Sequence, residues 1–446
     1  MGAFKAYDIR GVYGRDFNRE DVYRMGFFLP RLLAADKILI GRDDRISSPE
    51  ILEYLANGIM DAGADVYYIG LATTPMVYFA TARHGFKASV QITASHNPKE
   101  YNGLKVSGEN ALPVGYEDGL AQLEKWVRDE APEPSSARGR RVDLAVKEDY
   151  LAFLMQYLPD LDGLKVTIDC SNGMACLLIK DLLGDKVHYI YDEMDGTFPN
   201  HEANPLEIEN VHDLMEAVKN NSSDLGVIFD GDADRVMFVD EKSSFISPDL
   251  MIAVLGHYFL KEPGARVLQD IRTSRAVGEY LAPFGVEMHT WKVGRAFAAR
   301  KLREIDGLYG GEFAGHYYFR DFFYSDSGML ACLIALGVFA EMKSKGIKVS
   351  ECIRNIKAYH STGEVNFKLE RKQQAMDALK THFQQKGQVT ACYDFDGYRV
   401  EFEDWWFNVR PSNTEPYLRF LAEARDPQRL EEVLQETRQI IENFKD

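Results

Sequence analysis

Short apolar runs alternate with longer amphipathic segments through the first 360 residues. Lys37-Ile38-Leu39-Ile40 has the character of a buried strand, and Pro49 to Ala62 places apolar residues at helical spacing, with Ser47 or Ser48 as its cap. The unit recurs twice. Val166-Thr167-Ile168-Asp169 precedes a small-residue turn and a helical Met174 to Leu183, and Arg266-Val267-Leu268 precedes Thr273-Ser274 and a helical Arg275 to Leu281. This is the pattern of three diverged α/β repeats. Each repeat has a later strand that runs into a loop: Val90-Gln91-Ile92 into Thr93-Ala94-Ser95-His96, Gly226 to Phe229 into Asp230-Gly231-Asp232, and Gly307-Leu308-Tyr309 into Gly310-Gly311-Glu312. Open α/β sheets bind ligands beyond the carboxyl ends of their strands, so the three loops are expected to line one cleft.

The punctuation between repeats suggests four domains. The Pro/Ser/Arg-rich stretch Ala131 to Arg141 reads as a linker, Ser243 to Pro248 as a second and His360 to Gly363 as a third. Three similar α/β domains are therefore expected over 1–140, 141–246 and 247–360. From about Thr362 the alternation changes and ends in the charged helix Asp426 to Phe444, so 361–446 is expected to be a smaller α+β domain.

Composition narrows the function. The chain of 446 residues carries 52 Lys+Arg against 69 Asp+Glu, a formal charge of −17, which disfavours non-specific binding to nucleic acid or an anionic membrane. The longest apolar stretch, Met329 to Ala340, falls short of the roughly 20 residues that span a bilayer. Lys5 and Asp8 interrupt the place where a secretory signal has its apolar region. Five scattered cysteines without a CxxC pair argue against a disulfide framework or a zinc site, so a cytoplasmic protein is expected. The oligomeric state is left open.

Four segments carry candidate chemistry. In FDGDADR, Asp230, Asp232 and Asp234 recur at every second residue after an apolar strand, so in an extended chain they share a face. Three converging carboxylates need a cation, and all-oxygen ligation selects a hard ion such as Mg²⁺. The spacing also fits an EF-hand loop, but Arg235 stands where that loop needs Gly, and the flanking segments are strand-like. Ser95, beside His96 and upstream of Lys105, has the position of a nucleophile or phosphate carrier, or of a polar turn. Gly311-Glu312-Phe313-Ala314-Gly315-His316 sets a carboxylate able to accept from sugar hydroxyls near an imidazole able to transfer protons. Arg410-Pro411-Ser412-Asn413-Thr414-Glu415-Pro416 combines a guanidinium with clustered donors, which suits a bound phosphate or a Pro-capped turn.

Taken together and in this order, the segments FKAYDIRG, GRDDRISS, TASHNPKEYNGLKV, FDGDADR, GEFAGH and RPSNTEPYLR resemble the α-D-phosphohexomutase superfamily, most closely its phosphomannomutase/phosphoglucomutase branch. The resemblance covers nearly the whole chain. It implies four domains around a central cleft, with the fourth closing over a hexose phosphate substrate. It further implies that Ser95 is the phosphoserine, that Asp230, Asp232 and Asp234 hold Mg²⁺ against its phosphate, and that Arg10, His96, Lys105, Arg235 and His316 surround the transferring group. Hexose 1,6-bisphosphate is the implied intermediate and activator. Arg410, Ser412, Asn413 and Thr414 are expected to grip the phosphate already on the sugar, and Lys292, Arg295, Glu312, Ala314 and His316 to meet the sugar.

Two positions depart from that branch. It commonly reads Lys-x-Gly-His where this chain has Lys292-Val293-Gly294-Arg295, and Ser where this chain has Ala314. Arginine is not deprotonated in proteins, so Arg295 supplies a fixed charge and no proton traffic. Ala314 donates nothing to a sugar hydroxyl, which is expected to loosen discrimination between gluco and manno substrates.

Overall fold

In the computed structural model, which describes residues 2–412 and 417–445, the repeats become three sheets of one plan. In each, a central strand pairs in parallel with a neighbour on either side: Lys37–Arg42 between Asp65–Leu71 and Ala88–Ile92, Val166–Asp169 between His188–Ile190 and Leu225–Phe229, and Arg266–Asp270 between Glu287–Trp291 and Tyr309–Gly311. An antiparallel strand then folds back on the third member: Tyr101–Gly108, Val236–Asp240 and Tyr317–Phe319 respectively. The loops at these three reversals, Thr93–Glu100, Asp230–Arg235 and Glu312–His316, therefore sit at equivalent places in the three domains.

The fourth sheet differs. All its pairs are antiparallel, it is built from residues between His360 and Ala424, and the helices Lys372–Lys386 and Pro427–Glu442 pack against it. Asp426 caps the second of these, its carboxylate accepting from Gln428 N.

One apolar core runs through the first three domains. The helix Thr74–Arg83 is buried on nearly every side, with Phe79 packed on Tyr150 and Phe153, which in turn meet Phe322. The helix Gly328–Ser344 contains the whole apolar stretch noted above, and Leu330 to Leu336 are all buried in this same core. Shared burial of this kind fixes the domains relative to one another, because separating them exposes apolar surface worth about 25 cal/mol per Å².

The local readings shift where tertiary contacts intervene. The second helix runs Ser48–Asp61, but Ser47 makes no side-chain cap, and Ser48 Oγ donates instead to Asp43 Oδ1. The expected helix from Met174 to Leu183 breaks at Leu178 into Met174–Leu177 and Ile179–Leu183, and Met174 N is held by Gly231 O of the neighbouring loop. The strand expected at Gly307–Tyr309 lies at Tyr309–Gly311, where it finds its partners Val267 to Gln269. Of the expected linkers, Ser243 to Pro248 contains the paired strand Phe245–Ile246, and Arg141–Asp143 joins the first sheet beyond residue 140. Among the described residues, no helix is long and apolar enough to cross a membrane.

Candidate functional site

All four domains contribute to one cleft of about 1170 Å³, lined by Arg10, Ser95 and Lys105, by Asp234 and Arg235, by Arg295, Glu312 and His316, and by Arg410 and Ser412. Ser95 follows the strand Ala88–Ile92 with φ +53°, a left-handed conformation rare for serine, and its N–H donates to Thr93 Oγ1 at 2.9 Å. Its hydroxyl donates to Asp230 Oδ2 at 2.8 Å and lies 3.3 Å from His96 Nδ1. The first two reversal loops thus meet at this serine.

Asp230, Asp232 and Asp234 are completely buried, and they present carboxylate oxygens within 4.8 Å of one another. Lys105 Nζ reaches into the group, 2.6 Å from Asp232 Oδ2 and also paired with Asp234, while Thr74 Oγ1 donates to Asp232. Burial works against the Lys105 ammonium, but Asp232 and Asp234 outweigh it and hold its pKa above the usual lysine value. One ammonium does not neutralise three carboxylates. Burial, with Asp234 and Asp232 beside it, pushes Asp230 well above the usual carboxylate range, whereas Lys105 and His316 overcome burial and keep Asp234 well below it. Among the described residues, Asp232 Oδ1 accepts no hydrogen bond, and Asp234 Oδ1 has only His316 Nε2 near it, at 3.4 Å. Orphaned oxygens in an all-carboxylate set fit a hard divalent cation such as Mg²⁺.

The surrounding cations are fixed by their own partners. Arg10 pairs with Asp8 and donates to Asn97 Oδ1 at 2.7 Å. Arg235 N donates to Asp230 Oδ1 at 3.1 Å, and its Nε lies 3.2 Å from His316 Nε2. Burial together with Arg235, Arg10 and Lys105 pulls His96 well below the usual histidine pKa, so its imidazole is neutral. His316 has the opposite balance. Burial and Arg235 oppose its charge, but Asp234, 3.4 Å from Nε2, and Glu312, 3.0 Å from Nδ1, raise its pKa to about 9. Uncharged, its Nε2 accepts from Arg235; charged, the same nitrogen donates toward Asp234.

Glu312 is more committed than its motif suggests. Its Oε1 accepts from Gly294 N at 2.7 Å, and its Oε2 from Tyr318 Oη at 2.8 Å and from His316, which leaves Oε1 with one acceptor site to spare. Against burial, His316 and Gly294 bring its pKa down to about 2. Ala314 lines the cleft beside it.

Arg295 lines the cleft but spends its charge within the protein. Its Nε is 3.3 Å from the buried Asp326 Oδ1, and its guanidinium lies 4.1 Å from the Tyr78 ring centre. Lys292 is not brought to the cleft wall; its ammonium lies over Phe297. In the fourth domain Arg410 Nε donates to Asp396 Oδ1 at 3.1 Å, and its buried Nη2 has no partner among the described residues. Asp396 Oδ2 accepts from Val293 N, which ties the arginine to the Lys292–Arg295 turn. Ser412 also lines the cleft, whereas Asn413 and Thr414 lie outside the described residues.

Asp326, Tyr78, Tyr318, Thr74 and Asp396 escape a reading of the sequence, since none belongs to a segment with chemistry of its own. Asp326 left one signal: it directly precedes Ser327, whose hydroxyl caps the helix Gly328–Ser344.

A serine hydroxyl on buried carboxylates, in one polar cleft with a guanidinium whose Nη2 is unpaired among the described residues, defines an enzyme of phosphoryl transfer on phosphorylated substrates. Successive stretches match phosphoglucomutase/phosphomannomutase alpha/beta/alpha domain I at residues 1–132, domain II at 148–243 and domain III at 247–359, and the C-terminal domain at 364–440. The chain is 36% identical over 440 residues to a phosphomannomutase of Salmonella montevideo, covering 95% of each protein. It is 34% identical over 445 residues to a phosphomannomutase of Methanocaldococcus jannaschii, covering 98% of this chain and 97% of the relative. The crystal structure of a phosphoglucomutase/phosphomannomutase family protein from Burkholderia thailandensis superimposes with a TM-score of 0.89 at 28% identity, over 99% of this chain and 97% of that one. The chain belongs to the phosphoglucomutase/phosphomannomutase family and is a phosphohexose mutase.

Proposed function

We propose that the protein interconverts mannose 1-phosphate and mannose 6-phosphate through phosphorylated Ser95 and a hexose 1,6-bisphosphate intermediate. The observation that carries this reading is the contact of Ser95 Oγ with Asp230 at 2.8 Å, inside a buried cluster with Asp232, Asp234 and Lys105. The phosphoryl group passes from Ser95 to the free hydroxyl end of the bound sugar phosphate, which gives up its proton. The bisphosphate then turns over within the cleft, and Ser95 takes the phosphoryl group from the other end, so phosphate and charge balance over the cycle.

Asp230, Asp232 and Asp234, with the Ser95 phosphate, would hold Mg²⁺, which would supply charge neutralisation to the transferring group. Arg10 and Arg235 add fixed positive charge around that group, and the Lys105 ammonium adds a titratable one. His316, poised between Asp234 and Glu312, handles the hydroxyl proton with Lys105. His96, kept neutral, orients the Ser95 hydroxyl. Arg410 and Ser412, with Asn413 and Thr414 next in the sequence, grip the phosphate that does not react, in either orientation of the sugar. The fourth domain closes to exclude water, the rival acceptor.

Mannose is the favoured sugar because the Salmonella montevideo and Methanocaldococcus jannaschii relatives, which match 95% and 98% of this chain, are phosphomannomutases. Ala314 favours a second reading, activity on glucose phosphate at the same site, since no hydroxyl there distinguishes the sugars. A phosphoglucosamine mutase is less well supported. The cytoplasm suits the substrate, a soluble phosphosugar. A coupled assay with mannose 1-phosphate and glucose 1-phosphate side by side, primed with hexose 1,6-bisphosphate, tests the reading. Turnover without phosphate ever appearing on Ser95 overturns it.

A further inference from the structure

Arg45 carries none of the chemistry above, yet it is the most heavily committed cation near Ser95. It stands in the turn between the strand Lys37–Arg42 and the helix Ser48–Asp61 and is fully buried. Its Nη2 donates to Ser95 O at 2.8 Å and Asn97 O at 2.6 Å, and its Nη1 to Pro98 O at 2.7 Å and Tyr101 O at 3.1 Å. Its Nε lies 3.2 Å from Asp43 Oδ2. A guanidinium has five N–H donors in a rigid plane, and here four are spent on four carbonyls of one loop.

We propose that Arg45 is a positioning residue for phosphoryl transfer: it sets the conformation of the Ser95–Tyr101 loop and so the place of the Ser95 oxygen. The proposal rests on the reading of Ser95 as the phosphoryl carrier. The backbone of Ser95 is held at φ +53°, a conformation that costs a non-glycine residue on the order of 1 kcal/mol or more and persists only where its surroundings impose it. Arg45 imposes it. By collecting the carbonyls of Ser95 and Asn97 on one side of the loop, it turns the Ser95 hydroxyl to the other, where Asp230 waits. The same contacts aim the negative ends of these carbonyls at a cation and away from the phosphoryl group.

The second domain clamps the arrangement. The Phe198 ring lies 5.0 Å from the Arg45 guanidinium carbon. The backbone at Gly196 approaches so closely that a Cβ there would stand 2.3 Å from Asp44 O and 2.7 Å from Arg45 Cα. The domain that supplies Asp230 therefore also presses on the residue that aims Ser95, so the distance between donor and metal-type cluster is set from both sides.

Arg45→Lys, Arg45→Met and Phe198→Leu test the proposal in the full chain. Each is loaded with phosphate by glucose 1,6-bisphosphate, and single-turnover transfer to mannose 6-phosphate is followed by intact mass, beside steady-state KM and thermal melting. A misplacement of about 1 Å costs about 100-fold, so transfer is expected to slow roughly 10- to 100-fold in the Arg45 variants. Lysine is expected to retain more activity than methionine, Phe198→Leu to lose least, and KM to stay within about twofold because the phosphate grip in the fourth domain is untouched. A merely structural role would lower melting and leave the transfer rate of the folded fraction unchanged, and that result overturns the proposal. If Arg45→Met does not fold, Arg45→Lys and Phe198→Leu carry the same test. Wild-type protein without phosphate on Ser95 overturns the Ser95 reading and the proposal with it; normal phosphorylation with wild-type transfer in the variants overturns the Arg45 proposal alone.

Discussion

Replacing Lys105 by Met separates its role as an internal counter-ion from its role in catalysis. Its ammonium is buried and compensates Asp232 and Asp234, both fully buried. Methionine keeps most of the volume and removes the charge. Breaking a buried ion pair from one side costs about 3–5 kcal/mol, because a carboxylate is left without its partner. At about 4 °C per kcal/mol for domains of this size, the melting midpoint in chelator is expected to fall by roughly 10–20 °C. Mg²⁺ returns part of this loss: at 100 times its dissociation constant a ligand stabilises by about 2.7 kcal/mol. In the wild type the same cation must compete with the ammonium for Asp232 and Asp234, so its gain is smaller. The assay is thermal melting of both proteins in EDTA and in saturating Mg²⁺. The expected outcome is a Mg²⁺-induced rise that is larger in Lys105→Met than in wild type. An equal deficit in EDTA and in Mg²⁺ would refute the idea that Lys105 and the cation share these carboxylates, and a variant that melts like wild type in EDTA would show that the ammonium stabilises nothing.

Ser95→Ala is expected to lose nearly all mutase activity while still binding mannose 6-phosphate by calorimetry, since the Arg410 side of the cleft is intact; wild-type turnover sinks the carrier role. Arg410→Ala is expected chiefly to raise KM for the phosphosugar, and an unchanged KM with lowered kcat would place Arg410 on the transition state instead. Ala314→Ser restores a hydrogen-bond donor worth about 0.5–1.5 kcal/mol, so the ratio of kcat/KM for mannose 1-phosphate over glucose 1-phosphate is expected to change roughly 2- to 13-fold. An unmoved ratio means that Ala314 plays no part in choosing the sugar. Burial, with Asp249 nearby, raises the Glu423 pKa from 4.5 to about 7 at the junction of the third and fourth domains, where Ser274 and Trp406 donate to it. The folded state then binds more protons than the unfolded one between these values, so this group's contribution to stability is full below about pH 4.5 and is lost as pH rises through about 7. Glu423→Gln is expected to flatten that part of the melting profile, and an unchanged slope would show that Glu423 ionises normally.

The residues proposed to carry phosphoryl transfer were legible because each depends on a local pattern. Asp230, Asp232 and Asp234 follow an apolar strand at alternate positions, and Ser95 stands at another strand's end. The repeats were legible for the same reason: a strand of Val, Ile and Leu followed by an amphipathic helix is written in neighbouring residues. The sequence also marked Arg295 as unusual, but assigned it to the sugar on the strength of its position in a motif. Only the folded chain shows that its charge is absorbed by Asp326 and the Tyr78 ring, because these come from segments 31 residues downstream and far upstream that no periodicity connects. Lys292 likewise belongs to a motif and yet lies over Phe297 rather than on the cleft wall.

What the sequence by itself determined is therefore the kind of element at each place and the chemical groups at the ends of three strands. Tertiary structure decided how those groups compensate one another. Lys105 among the aspartates, Glu312 bound to Gly294, Asp396 between Arg410 and Val293, and Arg45 beneath Ser95 are all contacts between distant segments. The physical reason is that a buried charge or carbonyl must find a partner wherever one exists in space, and packing of the domains on a shared core, not order along the chain, determines which partner is within reach.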